Sequence, residues 1–249
     1  MVSAARAAEP LKLLLLPARV WAAGVGDRGS QGARYLAARG VWRAQWPWPA
    51  SVRWLPAVDA PMLRPRLPDR AAGALLYRYR AHGEDRVGAV SVEAVDGAGR
   101  RVSFGGAKRP VERPSVSGSR YAAECGERLF EVGGPDRDGA VWLVQGPLDA
   151  LAVVALARAG WWRRGVRRVL AAHSAGGLAR RVLVGVDGPL VVGPRGDSKG
   201  LEPARMARQA AVEAGIDVEW QPAGRRAAGE WIGWTWADLA ADVFGGRAL

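Results

Sequence analysis

The chain has 249 residues, 49% of them hydrophobic and 24% charged, enough to bury a sizeable core as one large domain or two small ones. Its formal net charge of +12 argues for a polyanionic partner, although an arginine skew this strong (only Lys12, Lys108 and Lys199 are lysine) also arises in GC-rich genomes. One cysteine, Cys125, excludes an internal disulfide, and with two histidines it leaves no ligand set for a structural zinc; a reducing cytoplasm is the expected compartment.

The apolar run Leu13 to Leu16 is followed by Pro17 and Arg19. It is too short for a signal peptide or for a membrane span of about 20 residues, and no other stretch could cross a bilayer, so no membrane partner is expected. Residues 1 to about 45 read as helical, with Gly40 after Arg39 at a helix C′ position. Then Trp46-Pro47-Trp48-Pro49 and Val52-Arg53-Trp54-Leu55-Pro56 forbid a helix, and the prolines from Pro61 to Pro68 extend an irregular path. Strands are expected over 74–79 and 88–95, with a turn at Asp96-Gly97 and a returning strand over 100–104. A Gly, Pro and Ser-rich loop follows over 105–120. Residues 1–135 therefore read as a small α+β domain.

From Ala140 the pattern changes. Strands over 140–144, 169–172, 189–193 and 216–220 alternate with helices over 149–159, 178–182, 202–214 and 235–243. That alternation implies an α/β domain over 136–249, a parallel sheet with helices on both faces. In such sheets chemistry gathers at the carboxyl ends of the strands.

The first of those ends reads Gln145-Gly146-Pro147-Leu148-Asp149. Glycine allows a tight strand-to-helix turn, and proline suits the first helical position. Asp149 is either a site carboxylate or a first-turn acid that complements the helix dipole. The third end reads Pro194-Arg195-Gly196-Asp197-Ser198-Lys199-Gly200. Carboxylates at alternate positions of such a loop would grip Mg²⁺, but Arg195 brings a fixed positive charge that suits a phosphate instead. Lys199 and the amides opening the next helix would add to an anion site; a plain polar loop with a helix cap is the alternative. After the fourth strand come Glu230 and Trp231. Between these ends, Ser174 is placed to cap a helix, and His173 has no triad partners in hydrolase order. Tryptophans stand beside arginines at 42–54 and at Trp161-Trp162-Arg163-Arg164, a composition that can clamp single-stranded nucleic acid. For Trp46, Trp48 and Trp54 a core role is preferred. For Trp162 with Arg163, Arg164, Arg167 and Arg168 a basic surface patch is expected.

These segments resemble the Toprim domain of phage and plasmid DNA primase-like proteins. The first Toprim motif is a strand delivering glutamate and glycine, with an aspartate four residues after the glutamate; here these positions hold Gln145, Gly146 and Asp149. The second is a strand followed by Asp-x-Asp-x-x-Gly; here Arg195, Asp197 and Gly200 stand there. Glu230 and Trp231 match an aspartate-rich, tryptophan-bearing loop, and Ala171 to Leu178 matches a small-residue segment between the motifs. Tyr35-Leu36 with Arg39-Gly40 resembles the opening of the domain that precedes Toprim in mobile-element proteins. No zinc module and no Walker A sequence accompanies them.

The resemblance implies primer synthesis on single-stranded DNA with Mg²⁺, and a replicative helicase as a possible partner. It would give catalytic roles to Gln145, Asp149 and Asp197, metal ligation to Asp149, Asp197 and Glu230, and phosphate binding to Arg195, Lys199, Arg163 and Arg164. With Gln145 and Arg195 at acidic positions, weakened or lost catalysis is expected and Mg²⁺ binding is doubtful. The alternatives are a non-catalytic module that binds single-stranded nucleic acid, and a divergent Toprim nuclease or nucleotidyl hydrolase using Asp149, Asp197 and Glu230.

Overall fold

The computed structural model describes residues 17–59, 67–80, 85–102, 128–162, 164–172, 186–196, 198–223, 226–227, 230–231 and 235–245. After a helical segment over 17–23 the helices are α1 (Gln31–Ala38), α2 (Pro147–Arg158), α3 (Ser198–Glu213) and α4 (Trp236–Gly245). The long strands are β1 (Val52–Pro56), β2 (Ala71–Arg80), β3 (Ala89–Asp96), β4 (Leu129–Gly133), β5 (Ala140–Gln145), β6 (Val166–Ala172), β7 (Leu190–Val192) and β8 (Val218–Trp220). Two short strands, β9 (Arg226–Ala227) and β10 (Glu230–Trp231), pair only with each other.

The apolar run from Ala140 to Val144 suits only a strand covered on both faces. It becomes β5, which pairs in parallel with β6 on one side and β7 on the other, and β8 extends the parallel set beyond β7. Trp142, Val144, Val169, Ala171 and Val191 share a core with α2 and α4, while Val141, Leu143, Leu170, Leu190 and Val192 share one with Ala204, Ala207 and Ala211 of α3. The period-2 alternation of a strand thus sends each strand's side chains to helices on opposite faces. No helix of the described residues is long and apolar enough to cross a membrane.

The parallel strands do not stand as a sheet of their own, as the sequence pattern had implied. They form one end of an eight-stranded mixed sheet, order β1-β2-β4-β6-β5-β7-β8, with β3 also on β2. The junction is β4, antiparallel to both β2 and β6. Tyr79 of β2 pairs with Ala89 of β3 and with Phe130 of β4, so those two strands lie on opposite edges of β2. β1 occupies the edge that β4 continues, pairing Val52 with Tyr77 through Pro56 with Gly73. The sheet therefore runs unbroken past residue 135.

Three expectations about the amino-terminal half change. Val52–Pro56 is a strand rather than irregular chain, because Pro56 is its last residue, where proline removes no central ladder bond. Helix does not run through to residue 45: the described part is broken over 24–30, where Ser30 caps α1 by accepting from the Ala33 N–H at 3.1 Å. Of the returning strand expected over 100–104, the described residues show one bridge, Val95 with Arg101, and 103–104 lie outside them. The loop at 105–120 and the helix at 178–182 lie outside the described residues.

Gly40 holds the expected C′ position with φ +68, and a Cβ there would sit 2.3 Å from the carbonyl oxygen of Ala240 in α4. Gly40→Ala combines left-handed strain with that collision. It should cost at least about 2 kcal/mol in urea unfolding; a neutral result would show that α1 and α4 do not meet there.

Candidate functional site

The chain leaves β5 for β6 on one side and later returns to β7 on the other. The carboxyl ends of β5 and β7 therefore flank a topological switch point, where open α/β sheets form their crevice. Gly146 turns the chain there with φ +107, Pro147 opens α2, and Asp149 lands in the first helical turn. On the other bank, the loop after β7 carries Arg195. Gly200 lets the start of α3 close on that loop, since a Cβ at Gly200 would lie 2.7 Å from the Arg195 Cβ and 3.0 Å from its backbone N and O.

α4 closes the far side. Trp236 donates its indole N–H to the Gly193 carbonyl at 3.0 Å, and the Ala237 N–H donates to Asp149 Oδ1 at 3.2 Å. Asp149 thus fills the amino end of α4 as well as sitting in the first turn of α2. It is only 3% exposed, and the Arg195 Nε lies 3.5 Å from its Oδ2. The contact is ionic without hydrogen-bond alignment, and the Arg195 Nε has no hydrogen-bond partner among the described residues. Burial pushes the Asp149 carboxyl up to about 6, against the pull of Arg195 and the Ala237 N–H. The carbonyl oxygen of the Gln145 side chain is buried beside them and has no partner among the described residues.

The crevice has a volume of about 340 Å³, and its second wall comes from the antiparallel strands. There the Glu93 carboxylate accepts from the hydroxyls of Tyr35 at 2.9 Å and Tyr77 at 2.8 Å, and pairs with Arg101 at 3.2 Å. Burial and the neighbouring Glu93 push the Tyr35 hydroxyl up to about 12 and the Tyr77 hydroxyl well above its usual range. Both tyrosines therefore stay protonated donors. Arg39 pairs with Asp238 at 4.0 Å on the rim. Sequence reasoning missed this wall. Its one trace is the placement of Ser91 and Glu93 two apart on a strand, which puts them on one face.

Of the residues predicted from the sequence, Gln145, Asp149 and Arg195 come together in the crevice. Lys199 falls in the first turn of α3 and Glu230 in β10, but their side chains lie outside the described residues, as do Asp197, Arg163, His173 and Ser174. Arg164 is at the other end of the sheet, before β6, paired with Asp217 at 3.3 Å and Glu219 at 4.0 Å. The surface position expected for Trp162 is corrected, while Arg163 of the expected basic patch lies outside the described residues. Trp162 packs on Trp142 at 4.6 Å and Trp236 at 5.4 Å, and Arg167 and Arg168 are both paired with Asp187, at 3.0 and 3.1 Å. Ring packing against β5 removes more apolar surface from water than an exposed position would.

The described donors do not fit a divalent cation. The crevice carboxylates, Asp149 and Glu93, are each engaged by an arginine, Gln145 is neutral, and no group of three potential ligands converges among the described residues. A dication beside Asp149 would meet the Arg195 guanidinium at close range. What the arrangement offers is arginines tethered by carboxylates, each with further N–H groups for an anion. No protein-family model, curated protein or solved structure matches this chain.

Proposed function

We propose that the chain is a primase-like Toprim protein of a mobile element whose crevice holds nucleic-acid phosphate without metal-dependent nucleotidyl transfer. The observation that carries this reading is the Arg195 guanidinium beside buried Asp149 at the switch point. A cation supplied by the chain stands next to the one retained acid of the motifs among the described residues.

Arginine recognises phosphate through two or more N–H groups at once, and tethering lowers the entropy lost on binding. Asp149 holds the Nε side of Arg195, Glu93 holds Arg101, and Asp238 holds Arg39. With these three arginines converging on one crevice, a single strand would pass between β2–β3 and the α2 amino end. Gln145 cannot exchange a proton at neutral pH, so it serves as a neutral hydrogen-bonding group.

The test is binding of a single-stranded oligonucleotide in chelator, with primer synthesis run in parallel on template, nucleotides and Mg²⁺. Binding should survive chelation. Arg195→Ala should weaken it about tenfold and lower the slope of log affinity against log salt by about one. No primer should form. Primer synthesis abolished by Asp197→Ala would overturn the reading, and metal-dependent DNA cleavage would select the hydrolase alternative.

A further inference from the structure

We infer that the cleft between the Trp-Pro segment and α2 is a second contact site, which takes an unstacked nucleobase of the same single strand. This rests on the nucleic-acid reading of the crevice but on different residues. The cleft has a volume of about 170 Å³, with Trp42, Trp46 and Trp48 in its walls opposite Leu151 and Ala155 of α2. Every base offers a π-face, so indole rings bind single strands with little sequence preference.

Two observations favour a nucleic acid over an apolar partner. Among the described residues the charged side chain lining the cleft is Arg158, and no carboxylate lines it. Arg158 and the neighbouring Arg43 stand over the Trp46 ring at 5.2 and 5.8 Å, so a base stacking there would displace a guanidinium and leave it beside the flanking phosphates. A proline-rich peptide also docks on aromatic grooves, but the arginines and the net charge of +12 select a polyanion.

The cleft is also in register with the crevice. Leu148 lines the crevice, and Leu151, Ala155 and Arg158 line the cleft; the spacing puts all four on one stripe of α2. From Asp149 to Arg158 the helix rises about 14 Å. That is about four nucleotides at the stacked spacing of roughly 3.4 Å. Because Asp149 to Leu156 of α2 are buried, a strand would span that separation over the surface rather than along the helix, with its phosphates at the crevice and a base in the cleft.

The experiment measures binding of the full chain to a labelled 12-residue oligothymidylate and to an abasic oligomer with the same phosphates. Trp46→Ala should weaken oligothymidylate binding about tenfold and leave abasic binding and the salt slope unchanged, because a stacked ring releases no counterions. Arg158→Ala should lower the salt slope by about one. Because Trp46 is half-buried, photocrosslinking of a bromouracil-substituted oligomer to the unaltered protein supplies a second readout, expected on the Trp46–Trp48 peptide. The inference fails if Trp46→Ala leaves both affinities intact, or lowers both equally, or if crosslinks fall elsewhere while a proline-rich peptide occupies the cleft. Binding that needs Arg195 and ignores Trp46 removes the cleft alone; no binding by the unaltered protein removes the crevice reading with it.

Discussion

Asp149→Asn should flatten the pH dependence of stability between about pH 4 and 6, and at pH 8 it should make the protein more stable than its parent. An unfolded aspartate ionises near 3.9, whereas burial lifts folded Asp149 to about 6. Between those values the folded state binds more protons than the unfolded state. Stability therefore falls as pH rises through the window, and it levels off above about 6. A shift of about two units amounts to about 3 kcal/mol at most. Asparagine keeps an acceptor for the Ala237 N–H and carries no charge to desolvate. Losing the ion pair offsets part of the gain, but the Arg195 side chain is 36% exposed and can turn to water. Urea unfolding of both proteins from pH 4.5 to 8 measures the difference. Parallel curves, or a variant weaker at every pH, would show that Asp149 is not charged at a cost.

Trp236→Ala should destabilise the fold by about 3–5 kcal/mol and loosen the crevice as well. Trp236 is 1% exposed and packs edge-on against Trp142 at 5.7 Å and Trp162 at 5.4 Å. Truncation leaves a cavity between β5 and α4 that the helices cannot close. It also removes the bond from the indole N–H to Gly193, just before the Arg195 loop, and frees the α4 turn whose Ala237 N–H holds Asp149. Trp236→Phe separates the two effects. It keeps most of the ring volume and loses the hydrogen bond, so about 1–2 kcal/mol is expected from the unpaired carbonyl and the smaller ring. Chemical denaturation gives both magnitudes. If the alanine variant unfolds at the parent's midpoint, α4 is not seated on β5.

Elements governed by neighbours close in the chain were legible without coordinates. β5 and α2 follow from an apolar run, a glycine able to adopt positive φ, and a proline tolerated in the first helical turn. α3, α4 and the C′ position of Gly40 follow from periodicity and capping in the same way. β1 and β4 were not legible. Their partners lie at Val52 with Tyr77 and at Phe130 with Ala171, and strand pairing over such separations leaves little pattern in five residues. Trp162 was misjudged for a related reason: two arginines beside a tryptophan look alike in sequence whether the ring points to water or to Trp142.

The sequence by itself determined an α/β alternation from Ala140 onward, a basic chain without disulfides, and a switch-point loop pair with Gln145 and Arg195 where the resembled motifs carry acids. Local backbone preferences and side-chain periodicity suffice for that. Only the tertiary structure decided that these strands share one mixed sheet with the amino-terminal half. Only it brought Arg195 to 3.5 Å from Asp149, and only it set Glu93 with its two tyrosines as the opposite wall. Burial and ion pairing depend on distances between residues far apart in the chain, and those distances exist only once the sheet has assembled.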